Sequence, residues 1–146
     1  MRVLGLDVGT RTIGVAVSDA LGMIANGVET IHRTSKERDY ARIQQLVRTE
    51  GVQLIVVGYP KNMNGTVGER ANACAALAED LRQLLAGVRV ELWDERLSTV
   101  AAQRTLIEAD LSRKKRKAVI DKMAAVVILQ NFLDSVVFGR ICHEGC

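Results

Sequence analysis

The stretch Val3-Leu-Gly-Leu-Asp7-Val-Gly9-Thr10-Arg11-Thr-Ile-Gly14-Val-Ala-Val-Ser18 decides how this chain folds. Two runs rich in apolar and β-branched residues flank a Gly/Thr/Arg turn, the pattern of a β-hairpin. Val3 to Leu6 are apolar on both faces, as in a strand covered from both sides. Asp7 interrupts that run. Alternation puts it on the side of Val3 and Gly5, where packing gives no reason for a carboxylate. Gly9 and Gly14 leave room for another group to approach the backbone at this end. Two roles compete for Asp7. It starts the turn by accepting hydrogen bonds from following amides, or it is a fixed carboxylate that binds a metal or orients a phosphate.

Working outward, Asn26 to Ile31 reads as a third strand that returns antiparallel to the hairpin. Thr34-Ser-Lys-Glu37 offers a capping box, and Tyr40, Ile43, Leu46 and Val47 recur at helical spacing up to Gly51. Leu54 to Val57 is a short apolar run suited to a buried parallel strand, and it exits at Gly58-Tyr59-Pro60. After the polar loop Lys61 to Gly65, Thr66-Val-Gly-Glu69 forms a second capping box for a helix to about Leu85. Arg89 to Trp93 is the next strand, with Asp94-Glu95-Arg96 at its end. Ser98 or Thr99 caps a helix reaching Ala109, and Ile120 to Val137 forms the last one. The expected architecture is α/β: a five-stranded mixed sheet, three antiparallel strands then two parallel, flanked by helices. Residues 1–137 make one domain and 138–146 a frayed tail.

At 146 residues with 48% hydrophobic content, the chain has the length and composition of a single packed domain. Aromatics at 3% argue against recognition by many stacked rings. No apolar run has membrane-spanning length, and the N-terminus enters a strand without a secretory pattern. Cys74, Cys142 and Cys146 are too scattered for a disulfide framework, which points to a reducing, cytoplasmic setting. The net charge of +3 comes from 20 basic and 17 acidic side chains. Arg113, Lys114, Lys115, Arg116 and Lys117 supply five of the positives, and without them 15 − 17 leaves −2. A near-neutral body therefore carries one concentrated basic segment.

The acids gather by topology. Asp7 and Glu95, with Asp94 beside it, fall at carboxyl ends of strands, the edge where ligands bind in open α/β sheets. Asp121 starts a helix and lies in line with Ala125, Ile128 and Phe132, on the core-facing side. A favourable helix dipole explains its place along the helix but not its side. Three converging carboxylates repel unless a cation offsets them, and all-oxygen ligands suit magnesium or manganese. Two such ions about 4 Å apart activate a water and stabilise the leaving oxygen of a phosphodiester. No histidine is placed to act as the base: His32 follows a strand and His143 is in the tail.

Four motifs occur in order: Asp7-Val-Gly-Thr-Arg-Thr-Ile-Gly14, Val57-Gly-Tyr-Pro-Lys-Asn-Met-Asn-Gly65, Asp94-Glu-Arg-Leu-Ser-Thr99 and Asp121-Lys-Met-Ala-Ala-Val-Val-Ile-Leu129. Together they resemble the YqgF (RuvX) family of pre-16S rRNA nucleases, also described as Holliday junction resolvases, over roughly residues 1 to 137. The resemblance implies an RNase H-like fold, a cytoplasmic location and metal-dependent phosphodiester cleavage. It assigns the acidic site to Asp7, Glu95 and Asp121. Tyr59 stands where the family more often has leucine.

Around the acids, Lys61 and Asn62 are candidates to hold a phosphate, or are ordinary turn residues. Arg11 and Arg96 are placed to pair with the acids or to reach the substrate backbone, and the structural role is favoured. The run Arg113–Lys117, just before Asp121, is expected to grip nucleic-acid backbone. Cys142-His-Glu-Gly-Cys146 lacks a fourth ligand and makes a poor zinc site.

The leading function is a two-metal nuclease acting on ribosomal precursor RNA or on branched DNA. Symmetric junction cleavage would favour a homodimer. Two other classes compete. Asp7-x-Gly-Thr also resembles the phosphate turn of actin-like ATPases, which need a second domain. A module of the same fold that binds RNA without cutting is the remaining alternative.

Overall fold

A computed structural model describes residues 1–60, 67–94 and 123–136. Strands β1 (Arg2–Val8) and β2 (Thr12–Ser18) form the expected hairpin. The register pairs Asp7 with Gly14, so Asp7 is still in the ladder, one residue before β1 ends at Val8. Strand β3 (Ala25–His32) adds antiparallel to β2. Its connection is organised by Asp19, whose carboxylate accepts from the amides of Met23 and Ile24, with Gly22 at positive φ. The Met23 amide holds the Asp19 carboxyl below its ordinary range. His32 is the last residue of β3 and is exposed.

Helix α1 (Lys36–Glu50) ends at Gly51, which takes the left-handed conformation with φ 64°. Its N-cap is Ser35, whose hydroxyl accepts from Arg38 N. The expected Thr34 capping box does not form, because Glu37 then occupies the second helical position rather than the third. Strand β4 (Val52–Tyr59) pairs parallel with β1, and β5 (Arg89–Asp94) pairs parallel with β4. Between them runs α2 (Glu69–Leu84), capped by Gly68 without a side-chain hydrogen bond. The second capping box therefore fails too: Glu69 opens the helix instead of closing its first turn.

The sheet order is β3-β2-β1-β4-β5. That is the five-stranded mixed sheet expected, three antiparallel strands followed by two parallel ones. Each strand is a seam between two cores. On one side Leu4, Leu6, Val8, Ile55 and Val57 pack with Ile43 and Leu46 of α1 and Leu77 and Leu81 of α2. On the other, Val3, Ala16, Leu54 and Val56 pack with Ala124, Ala125, Ile128 and Leu129 of a helix over residues 123–136. The helix approaches closely because β1 offers Gly5 there. A Cβ at Gly5 would lie 2.7 Å from Leu129 Cβ and 3.3 Å from the Ala125 carbonyl oxygen.

No helix among the described residues is long and apolar enough to cross a membrane. The helix expected from Ser98 to Ala109 and the tail from 138 onward lie outside the described residues.

Candidate active site

Alternation along β1 sends Leu4, Leu6 and Val8 into the α1/α2 core and Val3, Gly5 and Asp7 to the other face. Asp7 is 3% exposed. Its strand partner Gly14 has no side chain to fill the space beside it. Leu6 pairs with Val57, so Asp7 stands level with Gly58 of β4, which pairs in turn with Trp93 of β5. The strand ends thus bring Asp7, Tyr59 and Asp94 to one edge of the sheet.

The 123–136 helix descends from that same edge. Its Gln130 accepts from Ala25 N and donates to the Met23 carbonyl, at the far end of the sheet beside the β2–β3 turn. Ala125 and Leu129 lie over Gly5. Over the described residues the helix therefore runs from the side of Asp7 toward the β2–β3 turn. Trp93 meets Phe132 edge-on at 5.7 Å and ties β5 to the same helix.

A buried carboxylate needs a positive partner. Asp7 has one that local pattern does not reveal: Arg70, in the first turn of α2, puts Nη2 at 3.3 Å from Asp7 Oδ1. Its Nε also lies 3.4 Å from the Val8 carbonyl, so it brackets the end of β1. Arg11, the nearer arginine in sequence, takes no such role. Its side chain is exposed and makes no hydrogen bond or ion pair among the described residues.

The turn that carries Arg11 is held by its backbone. Gly9 N donates to the Thr12 carbonyl, and Arg33 N donates to the Arg11 carbonyl. Arg33 also donates from Nη1 to the Gly9 carbonyl at 2.8 Å and pairs through Nε with Asp39 at 3.5 Å. Asp39, 3% exposed, accepts in addition from Thr34 N. This chain of contacts fastens the β1–β2 turn to the start of α1.

Glu95, Asp121, Lys61, Asn62, Arg96 and the basic residues Arg113, Lys114, Lys115, Arg116 and Lys117 lie outside the described residues. Among those described, no three His, Cys, Asp or Glu side chains form a metal-binding group. What is present fits a hard cation in kind, a buried carboxylate oxygen near the carboxyl ends of the strands, with the Arg70 guanidinium as the group a cation would displace.

A family model described as RuvX, Holliday junction resolvase, matches residues 1–135. The chain belongs to that family. Curated relatives named "Putative pre-16S rRNA nuclease" occur in Bacillus mycoides, 63% identical, and Bacillus cytotoxicus, 61% identical. Each alignment spans 138 residues, 92% of this chain and 99% of the relative. The chain is also similar to the solved structure of Thermus thermophilus RuvC in complex with a Holliday junction substrate. The TM-score is 0.58 at 16% identity, covering 94% of this chain and 96% of that one. At that identity the likeness concerns the fold, which is RNase H-like as the RuvX motifs imply. RuvX membership makes the chain one of a family of phosphodiester hydrolases.

Proposed function

We propose that this chain is a metal-dependent endonuclease that matures the 5′ end of the 16S rRNA precursor in the cytoplasm. Asp7, Glu95 and Asp121 hold two divalent ions, Mg2+ or Mn2+. The observation that carries the reading is Asp7 itself, a buried carboxylate near the carboxyl end of β1, on the face covered by the 123–136 helix. Glu95 follows the last residue of β5, and Asp121 precedes the described helix by two residues. Strands β1 and β5 are separated only by β4, so their backbones run roughly 10 Å apart, within reach of facing carboxylates.

Bound there, the ions supply an activated water and a stabilised leaving oxygen. The chain supplies the rest. Asp7 fixes one ligand on rigid strand, Arg11 offers a cation at the braced turn, and Lys61, Asn62, Arg96 and Arg113–Lys117 would hold phosphates.

The family description favours a second substrate, the four-way DNA junction, whose symmetric cleavage would require a homodimer. One experiment separates the readings. Wild type and Asp7→Asn are incubated with labelled precursor rRNA and with a four-way junction, in manganese or in EDTA. Cleavage of the RNA by wild type, lowered roughly a hundredfold or more by Asp7→Asn and abolished by EDTA, is expected. Preferential cutting of the junction selects the resolvase. Retained binding with no metal-dependent cutting of either substrate selects a binding module and overturns the nuclease.

A further inference from the structure

Arg70 occupies an unusual place. It is the second residue of α2, where the positive end of the helix dipole disfavours a cation. Its side chain is 43% exposed, whereas the carboxylate it touches is almost wholly buried. The guanidinium is thus the solvent-facing member of the pair, and an ion that takes Oδ1 has to compete with it.

We propose that Arg70 is a positioning residue that exchanges partners. Without an ion it serves as the internal counter-cation of Asp7, keeping the carboxylate aligned and its charge matched. When a divalent ion takes Asp7, Arg70 is released at the same edge and donates to a phosphate of the nucleic-acid strand. The proposal rests on Asp7 being a metal ligand.

Three features support the exchange. At 3.3 Å the contact is a long, single hydrogen bond rather than a two-pronged clamp, so little geometry is lost on release. The guanidinium keeps a weak hold on the Val8 carbonyl, which gives it a pivot beside the site. A released arginine at a helix N-terminus also joins free backbone amides there, and both favour an anion.

The test begins without metal. Unfolding in EDTA is measured for wild type, Asp7→Asn, Arg70→Gln and the double variant. The two single changes should be non-additive, and strict additivity overturns the counter-cation role. Manganese binding is then followed by calorimetry. Arg70→Gln should bind manganese roughly three- to tenfold more tightly than wild type, because a partly screened competitor has been removed. Arg70→Lys should lie between them.

With manganese present, the salt dependence of nucleic-acid binding should lose about one phosphate contact in Arg70→Gln. A residue that only braces β1 would change stability and leave manganese affinity and salt slope alone. That result overturns the exchange. If wild type binds no manganese, the metal reading of Asp7 falls and the exchange falls with it. If wild type binds and Asp7→Asn does not, while Arg70→Gln matches wild type, the site reading stands and the exchange alone is wrong.

Discussion

The two faces of β1 are built on opposite plans. Toward α1 and α2 the strand presents Leu4, Leu6 and Val8 against other large aliphatic side chains. Toward the 123–136 helix it presents Val3, Gly5 and Asp7, and its neighbours there include Ala16 and the alanines 124 and 125. The first face is thick and holds the fold by buried area. The second is thin, and brings a helix backbone close to β1 at Gly5. One strand, read with a period of two, thus puts its large aliphatic side chains on one face and its buried carboxylate on the other, with the Arg70 partner of that carboxylate reaching in from α2.

The comparison breaks most directly at Leu81, fully buried in the thick core. Leu81→Ala should cost about 2–5 kcal/mol in denaturant unfolding, the transfer loss plus a cavity. Because Leu81 lies about three turns along α2 from Arg70, surviving folded protein should keep its specific activity. Loss of activity in protein still fully folded would mean that the faces are not separable.

Gly5→Ala attacks the thin face with a single methyl group. A strand position normally gains from such a change, but here the new carbon meets Leu129 Cβ and a helix carbonyl, neither of which is a flexible side-chain end. The helix must shift, and about 1–3 kcal/mol should be lost. The shift also moves the segment that follows Asp121. Activity should therefore fall further than stability does, the reverse of Leu81→Ala. Thermal unfolding measured beside cleavage rate reads both.

Between the helices of the thick face, the Tyr40 hydroxyl donates to Asp80 at 2.7 Å. Burial, reinforced by that carboxylate, pushes the phenol from 10.0 up to about 12. The unfolded chain releases this proton near pH 10 and the folded chain near pH 12. The contribution is complete below pH 10 and disappears as pH rises through 12. Tyr40→Phe should cost about 1 kcal/mol at neutral pH and flatten that part of the stability profile. An alkaline profile identical to that of wild type would show that the bond is not maintained in solution.

Much of this was legible from residue order. The hairpin, the strand sequence, the sheet topology and the end of α1 at Gly51 follow from alternation, helical spacing and turn chemistry. Ala125 and Ile128 are fully buried, as the face argument for the last helix requires. What local pattern could not supply was the partner of Asp7. Arg70 is 63 residues away, and its reach depends on how the start of α2 crosses the end of β1. A basic residue in the first turn was the available signal, but α1 carries Lys36 and Arg38 in its first turn too, both exposed. Arg11 was the natural candidate because it is adjacent, yet its turn is tied down by backbone contacts that leave its side chain outward.

The start of α1 gives the smallest and cleanest test, since two neighbouring hydroxyls compete for one cap. Thr34 matches the capping-box spacing, but Ser35 has the extended conformation of a cap and accepts from Arg38 N at 3.3 Å. Choosing Ser35 also fixes the phase of the helix, so that Asp39 turns inward to hold Arg33, and Arg33 holds the Gly9 carbonyl. Ser35→Ala should cost about 0.5–1 kcal/mol, and Thr34→Ala a few tenths at most, because its backbone amide rather than its side chain makes the contact with Asp39. The paired measurement also probes the boundary between the two faces. If Ser35→Ala slows cleavage more than its stability loss explains, the brace from α1 to the β1–β2 turn belongs to the site as much as to the fold.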